Sequence, residues 1–334
     1  MTDKLRVGLV GIGMMGRNHA RVLRDIDGLT LAAVADPAGD RFGMAGDAAV
    51  VPSVTDMIAQ GIDMAVVATP TALHLAAGLE LAASGVHTLI EKPLATDGAE
   101  SLQLVEAFES AGLVNAVGHI ERCNPALRAL RTRLEAGELG EIYQVATRRQ
   151  GPFPNRIADV GVVKDLATHD IDLTTWVIGC DYTRVSAFTQ HRSGREHEDL
   201  ISVTAQAANG TVVSHLVNWL SPLKERCTVV TGERGAFVAD TLQSDLTFHE
   251  NGTVKTEWDQ VSTFRGVSEG NSIRYAIAKP EPLKVQHEAF RDAVLGRESS
   301  VVTMREGMRT VAVADACLRA AREGRTIDLS EVHA

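Results

Sequence analysis

The run VHTLIEKPLATD (86–97) is apolar and β-branched until it stops on Glu91, Lys92 and Pro93. Lysine at a strand end can polarise a substrate oxygen. Partial burial and neighbouring cations can lower a lysine's pKa, letting it give and take a proton near neutral pH. Pro93 restricts Lys92 and sets the exit of the chain. The plainer alternative is a strand that emerges into solvent at a charged pair.

A second cluster suggests what Lys92 could work beside. VGLVGIGMMGRNHARVL (7–23) carries Gly11, Gly13 and Gly16 in GxGxxG order, after a strand pattern and opening a helix. The first glycine permits the tight turn, the second lets backbone approach a pyrophosphate, and the third allows close helix–strand packing. Ile12, Met14 and Met15 lie in the same loop. Asp36 ends the next strand, where its carboxylate can accept from the adenine ribose hydroxyls and would repel a 2′-phosphate. NAD is therefore expected over NADP, with Arg41 as a nearby cation that softens the preference.

A third strand pattern ends in ATPTALH (68–74), placing Thr69, Pro70 and His74 where open parallel sheets hold ligands, beyond the carboxyl strand ends. These three, with Glu91 and Lys92, complete the expected cofactor contacts. The alternative is a capped helix with His74 satisfying local backbone.

The elements that must position these residues follow from the pattern. Apolar runs at 6–10, 29–35, 63–68, 86–91 and 113–118 alternate with amphipathic helical segments. Continuously apolar strands separated by helices indicate an α/β, doubly wound parallel sheet of Rossmann type, covered on both faces. The style changes near residue 120, so residues 1–120 form the expected dinucleotide-binding domain and 121–334 an α+β substrate and oligomerisation domain.

In the second part, PALRALRTRLEAG (125–137) is a helix opened by proline and closed by Gly137. The strand patterns that follow, with a hairpin signal at Asn209-Gly210, predict a large, open, mostly antiparallel sheet. Two helices, 282–296 and 303–324, close the chain, the last expected to pack back on the first domain. The polar stretch 258–280 reads as a long loop.

Composition bounds the function. The 334 residues exceed what one core organises, and their net charge of −10 comes without a basic block, so nucleic acid is not an expected partner. No apolar run is long enough for a membrane span, and the N-terminus lacks a signal-peptide core, so a cytoplasmic location is expected. Cys123, Cys180, Cys227 and Cys317 lie far apart, which predicts reduced, mostly buried thiols; HRSGREHED (191–199) reads as a solvated turn, and no metal is expected.

The segments GIGMMGRNHA (11–20), ATPTALH (68–74), EKPL (91–94), GHIERCNPAL (118–127) and DLATHDID (165–172), taken in order, resemble the Gfo/Idh/MocA family of oxidoreductases over nearly the whole chain. The resemblance implies a Rossmann domain followed by an open-sheet domain that commonly forms homodimers or homotetramers. It implies hydride transfer between a nicotinamide and a carbinol or carbonyl carbon of a sugar, cyclitol or related compound.

The family's active-site lysine falls on Lys92 and its DxxxH pair on Asp165 and His169, four apart and so on one face of a helical turn. Alcohol oxidation removes a hydroxyl proton while hydride leaves carbon, so a base and a polarising cation must serve one oxygen. The implied roles are His169 as base, Lys92 as acid or relay, and Asp165 as orienting group. A surface ion pair is the alternative for Asp165 and His169. The resemblance also implies a cis Lys92–Pro93 bond that aims the lysine into the crevice.

GHIERCNPAL and EPLKVQHEAF look most like the branch of UDP-N-acetylglucosamine 3-dehydrogenases, with Cys123 where relatives usually have Phe. Arg122, Asn124, Arg156 and Lys164 are the substrate-contact candidates. Arg148 and Arg149 are further cations suited to a diphosphate. Lys164 replaces a commonly apolar residue and either reaches an anionic substrate or points to solvent. A nucleotide hexosamine is the favoured substrate, with inositol or a free sugar as the alternative. A non-catalytic NAD sensor is the alternative of another class, against which Lys92, Asp165 and His169 argue.

Overall fold

Short runs of Val, Leu, Ile and Ala without polar alternation become strands buried on both faces. They are β1 (Leu5–Val10), β2 (Leu29–Ala35), β4 (Met64–Val67) and β5 (His87–Ile90), joined by β3 (Ala49–Val51) and β6 (Asn115–Val117). All pair in parallel in the order β3-β2-β1-β4-β5-β6, the Rossmann order. The helices in chain order are α1 (Gly16–Arg24), α2 (Val54–Ile58), α3 (His74–Ala83), α4 (Gly98–Ser110), α5 (Pro125–Glu135), α6 (Thr168–Ile178), α7 (Pro282–Val294) and α8 (Met304–Glu323).

This computed structural model describes residues 4–154, 160–252 and 270–331. The chain divides into two compact units: residues 1–120 with 280–315, and residues 121–279 with 316–334. Of the 258–280 stretch expected as a long loop, 258–269 lie outside the described residues, while Ser272–Tyr275 form a strand at the edge of the second sheet, which corrects the loop reading there.

In the first unit successive strand residues enter opposite cores. Leu9, Val66 and Leu89 pack with Val22 and Leu23 of α1, whereas Val10, Val67 and Ile90 pack with Leu81 of α3 and Leu104 and Phe108 of α4. The returning segment serves both sides: Leu283 and Phe290 of α7 join the first core, Met304 and Val311 of α8 the second. Burial of Phe290 alone is worth about 2–3 kcal/mol.

Strand β3 and the helix-free crossover before it do not follow from the periodicity. AVV is three residues long and half-exposed, and Gly39, Gly43 and Gly46 adopt positive φ between 63° and 68°, which favours turns over helix.

The second unit is built on a nine-stranded sheet, β14-β13-β12-β11-β7-β10-β9-β8-β15. Its strands are β7 (Ile142–Pro152), β8 (Tyr182–Gln190), β9 (Leu200–Ala207), β10 (Val212–Asn218), β11 (Leu220–Gly232), β12 (Gly235–Asp240), β13 (Asp245–Glu250), β14 (Ser272–Tyr275) and β15 (Ile327–Asp328). Neighbours are antiparallel except β7 with β10. The Asn209-Gly210 turn joins β9 to β10, with Gly210 at φ +89 and the Asn209 side chain accepting from the Thr211 amide at 3.1 Å.

One face of this sheet packs on α5 and α6 through Leu127, Leu130, Leu173 and Val177 against Val145, Val230, Phe237 and Leu246. Outward positions of β8–β10 are largely polar, with Phe188 standing 77% exposed. Cys317 is buried, while Cys123, Cys180 and Cys227 are half-buried, so the expectation of mostly buried thiols holds for Cys317 alone; none forms a disulfide. Among the described residues no helix is long and apolar enough to cross a membrane, and no His/Cys/Asp/Glu cluster could hold a metal ion.

His215 of β10 is buried between the Thr147 hydroxyl (2.7 Å) and the Tyr182 hydroxyl (2.9 Å), and burial, with Arg149 nearby, pushes its pKa down from 6.5 to about 3. The folded imidazole stays neutral where the unfolded one would protonate, so stability falls as pH drops below 6.5 towards 3. Between pH 7.5 and 5 this site should remove about 2 kcal/mol. Urea unfolding at the two pH values should show that difference shrinking by about this amount in His215→Asn; an undiminished difference would contradict it.

Candidate active site

The glycine loop is shaped by three different demands. Gly11 donates to Ala35 O at 2.8 Å and has φ +85, a conformation L side chains rarely adopt. A Cβ on Gly16 would lie 2.0 Å from Gly11 O, so α1 meets the loop at backbone contact. Gly13 differs: a Cβ there would meet nothing within 4 Å. The open side of the loop is thus at Gly13, and Met14 and Met15 beside it are exposed.

Helix α1 begins without a side-chain cap and without an acidic residue in its first turn. Its N-terminus is electrostatically suited to an anion. The Asp36 carboxylate, at the end of β2, accepts from Ile12 N at 3.0 Å and Ala38 N at 2.8 Å, tying the loop to the adjacent strand end.

At the end of β4, Thr69 carries a buried hydroxyl without a hydrogen-bond partner, and Pro70 is exposed. An orphaned hydroxyl beside an uncapped glycine loop fits a dinucleotide lying along these strand ends. His74 is committed elsewhere: its Nε2 faces Thr69 O at 3.0 Å and its Nδ1 faces Pro93 O and Leu94 O at 3.0 and 3.2 Å. Burial pulls its pKa down against the raising effect of those carbonyls. His74 therefore braces the end of β4 against the chain that leaves β5.

Beyond β5, Glu91 turns its carboxylate inward. Oε2 accepts from the Lys92 amide at 3.2 Å and Oε1 pairs with His19 Nε2 of α1 at 3.1 Å. Gly118 leaves the room, since a Cβ there would lie 2.6 Å from Oε1. Burial raises the Glu91 pKa, but the hydrogen bond from His19 and the charge and amide of Lys92 outweigh it, and the net shift is downward. Lys92 is half-buried, Pro93 is buried, and the bond between them is cis. The Gly11–Gly16 loop, Thr69 and Glu91–Lys92 thus end the neighbouring strands β1, β4 and β5 along one sheet edge.

In the second unit Asp165 lies in a π-helical turn, Val163–Ala167, that runs directly into α6, where His169 occupies the first turn. Asp165 is buried; Lys164 and His169 are half-buried. The turn is anchored by Glu198, whose Oε1 accepts from Val163 N at 2.9 Å while its backbone carbonyl accepts from Val162 N at 3.0 Å. Gly161 leaves the room there, since a Cβ would sit 2.0 Å from the Glu198 carboxylate. Glu198 belongs to the 191–199 segment expected as a solvated turn; Glu198 and Asp199 are in fact buried, the latter accepting from the Arg192 and Ser193 amides.

Two ion pairs hold α6. Arg149 donates to Asp170 Oδ1 at 2.9 Å and to Glu121 Oε1 at 2.8 Å; burial opposes its charge, but Asp170 and Glu121 prevail and its pKa is raised. Arg122 forks onto Asp172 at 2.9 and 2.6 Å. Asn124, also a substrate-contact candidate, caps α5 by accepting from Ala126 N at 3.0 Å and donates to Thr241 O at 3.0 Å. Substrate contact by Arg122 or Asn124 requires these partners to be shared or released. Arg148 pairs with Glu225 at the surface, and Arg156 lies outside the described residues.

The model of the oxidoreductase family Gfo/Idh/MocA, described by its NAD-binding Rossmann fold, matches residues 5–119, and the C-terminal domain model of the same family matches residues 127–238. UDP-N-acetylglucosamine 3-dehydrogenase of Acidithiobacillus ferrooxidans is 29% identical over 315 residues, covering 93% of this chain and 95% of its own; its solved structure has a TM-score of 0.83 over 96% of this chain and 98% of that one. Inositol 2-dehydrogenase 4 of Saccharopolyspora erythraea is 32% identical over 263 residues, 75% of this chain and 77% of its own. The WlbA dehydrogenase of Bordetella pertussis, solved with NADH and UDP-GlcNAcA, has a TM-score of 0.78 at 26% identity over 97% and 98% of the two chains.

The glycines separate binding from folding experimentally. Gly13→Ala should leave the melting temperature within about 2 °C of wild type yet weaken NAD(H) roughly tenfold or more, measured by fluorescence titration. Gly16→Ala should instead lower the melting temperature sharply, because its Cβ has no space. Unchanged NAD(H) affinity in Gly13→Ala would remove the loop from the cofactor site.

Proposed function

This chain belongs to the Gfo/Idh/MocA family of NAD-binding oxidoreductases, and we propose that it oxidises a ring carbinol of a nucleotide hexosamine, UDP-N-acetylglucosamine at C3 being the favoured case. The observation that carries the reading is the alignment of the glycine loop, Thr69 and Lys92 at the ends of three adjacent parallel strands. A cofactor lying along such an edge brings its reactive end towards Lys92.

Bound NAD supplies the hydride acceptor. The residues proposed to hold it are Gly11, Ile12, Gly13, Met14, Met15, Gly16, Asp36, Thr69, Pro70, Glu91 and Lys92, with His74 shaping the strand end behind them. Lys92 is proposed to polarise the carbinol oxygen and His169 to take the hydroxyl proton as the carbon loses hydride, with Asp165 orienting the group. Lys164, next to Asp165, is the cation proposed for an anionic portion of the substrate.

Support for a nucleotide sugar comes from the similarity to UDP-N-acetylglucosamine 3-dehydrogenase, which runs over 93% of the chain. The second reading, an inositol dehydrogenase, has its own support in the higher identity, 32%, over a shorter 75%. Self-association through the outward face of β8–β10, where Phe188 is exposed, is part of the same proposal and is checked by light scattering on the eluting protein.

Thermal shift with NAD present should single out UDP-N-acetylglucosamine from a panel of nucleotide sugars, hexoses and inositols, and NADH formation should follow at 340 nm. Stabilisation and turnover with an inositol alone would select the second reading. NAD should exceed NADP in kcat/KM, since a carboxylate at the end of β2, Asp36, would repel a 2′-phosphate; a clear NADP preference would overturn this. Lys92→Met should leave NAD(H) binding measurable and lose turnover by roughly 10²–10⁴-fold, whereas near-normal turnover would refute its role.

A further inference from the structure

We propose that His19 and His287 are positioning residues for Lys92, acting through a buried chain of hydrogen bonds that ends on the Glu91 carboxylate. The inference rests on the reading of Lys92 as the group that polarises substrate. The chain lies wholly within the first unit and joins three elements distant in sequence. His287 Nε2 of α7 lies 2.8 Å from His19 Nδ1 of α1, and His19 Nε2 lies 3.1 Å from Glu91 Oε1 beyond β5. Both imidazoles are fully buried, in edge-to-face contact at 5.0 Å. The other Glu91 oxygen accepts the Lys92 amide at 3.2 Å.

The proton inventory follows from these contacts. An ionised carboxylate only accepts, so His19 Nε2 carries a proton. His287 Nδ1 is buried without a partner, and a bare lone pair there costs less than an orphaned N–H. His287 is therefore the Nε2–H tautomer, donating to His19 Nδ1. Burial, with His19 beside it, pushes the pKa of His287 well below 6.5, in keeping with a neutral ring. Both N–H bonds then point towards Glu91, and successive hydrogen bonds in low dielectric reinforce one another.

The groups facing the Glu91 carboxylate are His19 from α1, Lys92 on its own segment and, less directly, His74 from α3; Gly118 offers only backbone. Of these, His19 supplies the side-chain hydrogen bond, and His287 fixes its tautomer. The carboxylate in turn fixes the peptide that begins Lys92 and sets a negative charge beside it. Without the donor chain a buried carboxylate would protonate or turn outward, releasing the Lys92 backbone and removing the negative charge beside it.

The test compares His287→Leu, which removes the donor, with His287→Gln, which keeps an N–H near its place. Turnover is followed with UDP-N-acetylglucosamine and NAD, or with myo-inositol if that is the compound oxidised. His287→Leu should lose roughly tenfold in kcat and shift the acid limb of the pH–kcat profile upward by about half a unit or more, with Kd for NAD nearly unchanged. His287→Gln should recover both. A wild-type pH profile in His287→Leu, with only a lower melting temperature, overturns the proposal and leaves a packing role.

Lys92→Met in parallel separates the two readings: if it stays active, the role of Lys92 itself fails; if it is inactive while His287→Leu titrates normally, only the positioning chain fails. Should His287→Leu not fold, side-chain ¹⁵N NMR of the wild-type enzyme, assigned with His287→Gln, decides. A neutral Nε2–H tautomer at His287 between about pH 6 and 8 is expected, and an imidazolium or Nδ1–H form there overturns the arrangement.

Discussion

A parallel sheet must be covered on both faces, and in the first unit that requirement sends polar chemistry to the strand ends. Leu9 and Val10, Val66 and Val67, Leu89 and Ile90 each divide between two apolar cores. Nothing charged can be placed along such strands without losing its hydration. The glycine loop, Thr69 and Lys92 therefore gather at one edge because that edge is where backbone and side chain leave the packed layers.

The second unit meets a different demand. Its sheet is covered by α5 and α6 on one face in part and by polar side chains on the other, so the helix that carries His169 could slide or tilt on an apolar bed. Directional contacts resist this: Arg149 on Asp170, Arg122 on Asp172, and the Glu198 carboxylate on the π-helical turn. The same residues that looked suited to binding an anionic ligand hold the helix in register.

Legibility in the sequence followed the strength of local signals. The long apolar strands, the GxGxxG turn, the Asn209-Gly210 hairpin and the proline-led helices α5 and α7 were readable because each is set by neighbouring residues. Strand β3 was not, being three half-exposed residues in glycine-rich chain. Burial of Glu198 and Asp199 was hidden in a run of charges, since only tertiary contact distinguishes an anchoring carboxylate from a solvated one. His19 sat within a quoted motif, and His287 within another, yet nothing in either segment indicates that the two rings touch. Their meeting depends on α7 returning to α1 across 268 positions.

That return has a consequence for how the protein can be taken apart. Residues 280–315 complete both cores of the first unit, so its boundary in space does not coincide with a single cut in the gene. A chimera that exchanges residues 1–120 between relatives inherits the glycine loop and the lysine but receives α7 and the start of α8 from the other parent. The joint then falls through the hydrophobic layers and between His19 and His287. Modularity in this chain belongs to a pair of noncontiguous segments, and recombination that respects it must carry both together.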